Sequence, residues 1–128
     1  MKLLAMNQRL VLLCMVVLLG LSCNKAGVGG KASISGIVKH HQVPITNATV
    51  YIKYGADAFP GFELDQYDDQ TTASAIDGSF SFTNLHRGEY FIYCAGYDAS
   101  IMEEVKGGVA VEINKKKENI VADVPVTE

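Results

Sequence analysis

The sequence lacks the short motifs that carry enzyme chemistry. It has no Gly-x-Ser-x-Gly nucleophile turn, no glycine-rich phosphate loop and no His-Glu-x-x-His zinc motif. Its serine, histidine and aspartate residues also fall in no suggestive grouping. We therefore predict that the protein is not an enzyme and that it needs no cofactor.

The sequence also lacks an apolar run long enough to span a bilayer as a helix. Its longest run, "LVLLCMVVLLGL", covers 12 residues and follows the basic residues Lys2 and Arg9. A spanning helix needs about 20 apolar residues, whereas a basic segment followed by a shorter apolar run is the layout of a secretory signal. A retained N-terminal anchor helix is the alternative interpretation.

The end of this segment, "LGLSC", resembles the lipobox of bacterial lipoproteins. Ser22 and Cys23 match the motif, whereas Gly20 stands where leucine is usual. The resemblance implies a signal peptide over residues 1–22 and a lipid on Cys23. We then expect a flexible, glycine-rich tether over residues 23–31, a folded domain over residues 32–128, and a place in the cell envelope at the outer membrane. The alternative is an ordinary signal peptide with an accidental cysteine.

Processing at that point would leave few basic residues and few cysteines. Without Lys2 and Arg9, nine of the 11 basic residues remain against 14 acidic ones, a formal charge of −5. An acidic domain without a basic stripe is a poor nucleic-acid binder. Cys94 would be the one available thiol, which excludes an intramolecular disulfide and a cysteine-based zinc site.

Apolar residues recur with a period of two through most of the remaining chain, which is typical of half-buried strands. The predicted inward-facing residues are Ile34, Val38, Ala48, Val50, Ile52, Phe80, Phe82, Tyr90, Ile92, Cys94, Val109, Val111, Ile113, Ile120, Ala122 and Val124. About seven short strands predict an all-β, antiparallel Greek-key β-sandwich. Residues 71–98 are expected to form a β-meander with a type I′ turn at Asp77-Gly78, and residues 114–118 a hairpin loop.

Residues 34–98 resemble the carboxypeptidase regulatory-like domain, a transthyretin-like β-sandwich. The matching features are Gly36 and Val38, Pro44-Ile45, Ala48 and Val50, Thr72, Asp77-Gly78, Phe80 and Phe82, Leu85, and Gly88-Glu89-Tyr90. The resemblance implies a corner tyrosine at Tyr90 and an accessory module without catalytic residues. A hydrolase of hydroxyisourate shares the fold, but its terminal Tyr-Arg-Gly-Ser is absent here.

The candidate contact site is the long loop over residues 55–70, which has no apolar alternation. Its candidate partner or ligand contacts are Phe59, Phe62, Asp65, Tyr67, Asp68 and Asp69. Loops of this length are usually functional or disordered. A solvated insertion, a partner contact and a calcium site all stay open, although the aspartate spacing of a calcium loop is missing.

Two smaller sets of residues allow more than one interpretation. The outward-facing Tyr51, Phe91 and Tyr93 could form an exposed platform or could be covered by the long loop or by neighbouring strands. His40 and His41 are expected to be exposed turn residues. Because neighbouring residues of a strand point to opposite faces, we do not expect them to bind one metal.

These features predict a lipid-anchored binding or scaffolding module that contacts another envelope protein. The alternative is a carbohydrate-binding accessory lipoprotein that uses the long loop and the exposed tyrosines.

Overall fold

Two β-sheets pack face to face in the computed structural model, which describes residues 25–128. The strands are β1 (Val28–His40), β2 (Val43–Pro44), β3 (Thr49–Tyr54), β4 (Asp69–Thr72), β5 (Ser79–Leu85), β6 (Gly88–Asp98), β7 (Glu103–Ile113), β8 (Asn119–Val121) and β9 (Val124–Pro125). A 3-10 turn covers Leu64–Gln66. The predicted all-β sandwich is therefore confirmed. The predicted signal peptide and the lipidated Cys23 lie outside the described residues.

The first sheet is built around β1, and the second has the order β4-β3-β6-β7. The second sheet is antiparallel throughout. In the first sheet, β1 pairs antiparallel with β2 and β5 but parallel with β8 and β9. The first sheet is thus mixed, with two short parallel pairings beside its antiparallel ones.

The predicted alternation of side chains describes the core well. Buried apolar residues from both sheets form one cluster, which includes Ile34, Val38, Val50, Ile52, Phe80, Phe82, Tyr90, Ile92, Cys94, Val111, Ile113 and Val124. Val109, Ile120 and Ala122 pack against it but are only partly buried. Burial of a large apolar side chain contributes about 1.5–3 kcal/mol, so this cluster is the main source of stability.

The turn at Asp77-Gly78 joins the two sheets and is not a hairpin. Strand β4 belongs to the second sheet and β5 to the first, so residues 71–98 cross between sheets and do not form a meander. Gly78 has the expected positive φ of 72°, but Asp77 is not among the residues of positive φ, as a type I′ turn would require. Residues 114–118 likewise connect β7 of the second sheet to β8 of the first.

The tight hairpin lies instead between β1 and β2. His40 pairs with Val43, and the two residues between them, His41 and Gln42, have φ values of 48° and 72°. Positive φ at both central residues is the requirement of a type I′ turn. Because neither residue is glycine, this turn is hard to predict from the residue types alone.

The folded region begins earlier than the predicted boundary at Ala32. Strand β1 starts at Val28, so part of the expected tether is paired with β5. A β-carbon on Gly30 would lie 2.1 Å from the carbonyl oxygen of Leu85, so the glycine permits close approach of two backbones. The glycine-rich composition indicated flexibility, whereas here it serves packing.

Tyr90 is the corner tyrosine that the family resemblance implies. Its side chain is fully buried, and its hydroxyl donates a hydrogen bond to the carbonyl oxygen of His86 at 2.6 Å. The Tyr90 hydroxyl oxygen in turn accepts a hydrogen bond from the backbone N–H of Gly27 at 2.9 Å. Tyr90 therefore links the start of the domain to the connection between β5 and β6.

Within residues 25–128, no helix is long and apolar enough to cross a membrane.

Gly78→Ala should destabilise the domain more than Gly55→Ala. Both glycines have positive φ, 72° at Gly78 and 74° at Gly55. A β-carbon added at Gly78 would lie 2.9 Å from the backbone oxygen of Ile45, whereas one added at Gly55 would meet no atom within 4 Å. Alanine at positive φ costs about 1 kcal/mol. The clash should add roughly 1–3 kcal/mol for Gly78→Ala. Thermal unfolding followed by circular dichroism measures the difference, and equal melting temperatures for the two variants would contradict this description of the turn.

Candidate functional site

An aromatic cluster covers part of the outer face of the second sheet. Tyr51 of β3 and Tyr93 of β6 are cross-strand partners, and their ring centroids lie 5.9 Å apart in a stacked arrangement. Phe91 lies two residues before Tyr93 on the same face of β6. Because alternate residues of a strand share a face, the register alone places these three side chains together.

The long loop folds over these aromatic side chains. The Phe59 ring centroid lies 5.8 Å from that of Phe91 and 5.7 Å from that of Tyr93, and Tyr67 stacks on Tyr93 at 5.7 Å. The Tyr67 hydroxyl also donates to the carbonyl oxygen of Gly61 at 2.9 Å. Phe91 and Tyr93 are consequently only 8% and 5% exposed. Of the two predictions for the outward aromatics, cover by the loop is confirmed.

The acidic residues of the loop do not gather around a common point in the described part of the chain. Asp68 accepts a hydrogen bond from the backbone N–H of Tyr54 at 2.7 Å and lies 3.5 Å from the Lys53 ammonium group. Asp69 belongs to β4, so the loop ends at residue 68 and not at residue 70. Asp65 lies in the first turn of the 3-10 segment, and its side chain is exposed. The aspartates thus anchor and solubilise the loop.

A shallow groove continues from the aromatic cluster along β6 and β7. It has a volume of about 860 Å³ and joins a smaller depression of about 370 Å³, with Tyr93 and Lys106 lining both. The groove exists because Ala95, a small residue, lies between Tyr93 and Tyr97 on the outer face of β6. Small residues also line the smaller depression, where Gly107 and Gly108 occur together with Phe59 and Phe62.

The walls of the groove combine exposed rings with charged and polar groups. Phe59, Phe62 and Tyr97 are 45%, 61% and 53% exposed. The register pairs Tyr97 with Glu104, and the ammonium group of Lys106 lies 4.4 Å above the Phe62 ring. A cation above an aromatic face is attracted by the ring quadrupole, so Lys106 holds Phe62 at the edge of the groove.

The groove brings together only part of the set of residues predicted from sequence. Phe59 and Phe62 line the smaller depression that adjoins it, and Tyr67 stacks on Tyr93, which lines both. Asp65, Asp68 and Asp69 line neither the groove nor the depression. The prediction missed Tyr97, Glu104 and Lys106. The sequence shows that these residues alternate with others along their strands. Only the pairing of β6 with β7 shows that all three lie on the same face of the second sheet.

His40 was expected to be exposed, and that expectation is wrong. Its side chain is only 4% exposed, and its Nδ1 lies 2.7 Å from Asp98 Oδ2. Its Nε2 lies 2.7 Å from Glu128 Oε2. The hydrogen bond with Asp98 raises the pKa of His40, opposed by desolvation and assisted by Glu128. The pKa of Asp98 is lowered, first by the hydrogen bond from the Ser100 hydroxyl and then by His40.

Comparisons with known proteins give a likeness of fold. No family model matches the chain, and the search of curated proteins finds no match. Among solved structures, the fold is similar to that of a Pseudomonas aeruginosa protein described as a "putative carbohydrate binding protein". The two structures align with a TM-score of 0.56 and 14% identity, over 78% of this chain and 91% of that one.

The stability of the aromatic cluster should fall in alkaline solution. Burial raises the pKa of Tyr93 and of Tyr67 above the ordinary value of 10.0. A tyrosine with a raised pKa in the folded state stabilises that state at lower pH, and this contribution is lost as the pH rises above the unfolded pKa. We therefore expect the melting temperature to drop above pH 10, and to drop less in Tyr93→Phe. An identical alkaline drop in both proteins would contradict the raised pKa of Tyr93.

Proposed function

We propose that this protein is a non-catalytic carbohydrate-binding module and that the groove along β6 and β7 is its binding site. The observation that carries the proposal is the exposure of Phe62 and Tyr97, at 61% and 53%, beside an open groove with polar walls. Exposed aromatic patches on a folded domain commonly mark binding sites.

The chemistry of the groove suits a sugar chain. A pyranose ring presents a face of C–H groups, which packs on an aromatic ring, and a rim of hydroxyl groups, which need donors and acceptors. Tyr97 and Phe62 would supply the aromatic faces. Glu104, Asn47 and Lys106, which are exposed around the groove, would supply acceptors and donors. The groove is open rather than enclosed, which favours a segment of an extended glycan over a small molecule.

The structural neighbour supports this proposal through its fold and its description. It is described as a "putative carbohydrate binding protein", and the structural alignment with this chain covers 91% of its length. We further propose that the carboxypeptidase regulatory-like resemblance reflects common ancestry, and that the domain works as an accessory module at the outer membrane.

A contact with another envelope protein is the second candidate function. The observation that favours it is Leu64, which is 50% exposed on the same loop as Phe59 and Phe62. An aliphatic side chain adds little to sugar recognition, whereas it would extend an apolar surface for a protein partner. Leu64 therefore distinguishes the two functions.

The full-length protein, purified in detergent, should bind a subset of polysaccharides on a glycan array. In titrations with the best ligand, Phe62→Ala and Tyr97→Ala should each weaken binding about tenfold, because loss of a stacked ring removes roughly 1.4 kcal/mol. Leu64→Ala is the matched control on the same loop, and it should bind the ligand as the wild type does.

The opposite pattern would favour the second candidate. If no glycan binds, and if one envelope protein crosslinks to the wild type but not to Leu64→Ala or Phe62→Ala, the groove is a protein interface. Glycan binding that is unaffected by either aromatic substitution would place the sugar elsewhere on the domain.

We also propose that Cys23 carries the lipid that anchors the domain in the cell envelope. Diacylglycerol and an amide-linked chain together bury many methylene groups at about 0.8 kcal/mol each, which gives stable membrane binding. Cys23→Ala should therefore move the protein from the membrane fraction to the soluble fraction. Cys94→Ala is the control, because Cys94 is buried in the core. A Cys23→Ala protein that stays with the membrane would exclude the lipid anchor.

A further inference from the structure

A buried imidazole nitrogen without a hydrogen-bond partner lies at the end of β1. Among the described residues, His40 Nε2 is the one buried side-chain nitrogen or oxygen that lacks such a partner. Glu128 Oε2 approaches it to 2.7 Å, but the contact lacks the geometry of a hydrogen bond. Since an unpaired buried polar group costs free energy, this nitrogen calls for a physical explanation.

The opposite side of the His40 ring is held firmly. Asp98 Oδ2 lies 2.7 Å from Nδ1, and the other Asp98 oxygen accepts from the backbone N–H of Ser100 at 2.9 Å and from its hydroxyl. A carboxylate that accepts from Nδ1–H leaves the lone pair of the neutral ring on Nε2. This carboxylate–histidine arrangement is the one that orients metal-binding histidines in proteins.

The turn after β1 brings a second imidazole to the same point. His41 has a φ of 48°, so it does not follow the strand alternation that would turn it away from His40. The two ring centroids lie 4.3 Å apart. One ligand atom each from His40, His41 and Glu128 lies within 4.8 Å of the others. No other part of the described chain gathers three such groups.

We propose that His40, His41 and Glu128 bind a divalent transition-metal ion of the kind that prefers imidazole ligands. Zn²⁺ represents this class of ion. Two imidazoles and one carboxylate form a common zinc ligand set, and three protein ligands leave a further position for water. Tetrahedral zinc holds its ligand atoms roughly 3.3 Å apart. The exposed His41 and Glu128 side chains reach this spacing by rotation, while Asp98 keeps the buried His40 in place.

An ion pair without metal is the competing explanation for the same contacts. A positively charged His40 could bridge Asp98 and Glu128, and His41 would then have no function at the cluster. The carboxylates of Asp98 and Glu128 and the ring of His41 are the titratable groups that face His40. His41 is therefore the residue that separates the two explanations.

Calorimetric titration with ZnCl₂ at neutral pH tests the proposal on the full-length protein in detergent, purified without a histidine tag. We expect saturable binding of one Zn²⁺ per chain. His41→Asn and Glu128→Gln should each weaken binding about 10–100-fold. Asparagine tolerates positive φ, so His41→Asn preserves the turn. His86→Asn is the matched control at a distant histidine and should leave binding unchanged.

A second readout needs no substitution. In NMR spectra of the wild-type imidazoles, Zn²⁺ should shift the ring signals of His40 and His41 together and leave those of His86 in place. The proposal is overturned if these two rings do not respond, or if affinity is the same in His41→Asn and Glu128→Gln as in the wild type. Binding of Ca²⁺ through the same three residues would also overturn the assignment to an imidazole-preferring ion.

Discussion

The pairing of β6 between β3 and β7 is the constraint on which the rest of this structure depends. One face of β6 carries Tyr90, Ile92 and Cys94 into the core, and all three are fully buried. The opposite face carries Phe91, Tyr93 and Tyr97. A slip of one residue in the register would exchange these faces, exposing the core residues. The free energy of core burial therefore also fixes the position of the aromatic cluster and of the groove.

Which face of each strand is buried could be predicted from the sequence, because alternation is a local property. The partners of each strand could not. Residues 71–82 read as a hairpin because Asp77-Gly78 is a favourable turn, yet β4 and β5 belong to different sheets. Turn preference acts over about four residues, whereas the choice of sheet depends on contacts that are distant in sequence.

The residues of the candidate site were likewise predictable where the signal was local and unpredictable where it depended on strand pairing. Phe59 and Phe62 were identified because a long loop with aromatic residues is unusual, but the contribution of Tyr97, Glu104 and Lys106 depends on the pairing of β6 with β7. His40 was misinterpreted for a different reason, since it ends β1 with a buried side chain, whereas His41 is the exposed turn residue that the sequence predicts. The alternation rule holds only within a strand, and His41 lies outside β1 in a turn of positive φ.

The groove and the histidine cluster share one residue, which links their electrostatics. Glu128 lines the groove and also approaches His40. Asp98 ends β6 one residue after Tyr97, so both sites are positioned by the same end of the same strand. A positive charge beside Glu128 reduces the negative potential at that end of the groove, where Glu104 remains as the second carboxylate. If both proposed sites bind their ligands, thermodynamic linkage requires that a groove ligand sensitive to this charge changes the affinity of the histidine cluster for the proposed metal ion by the same factor.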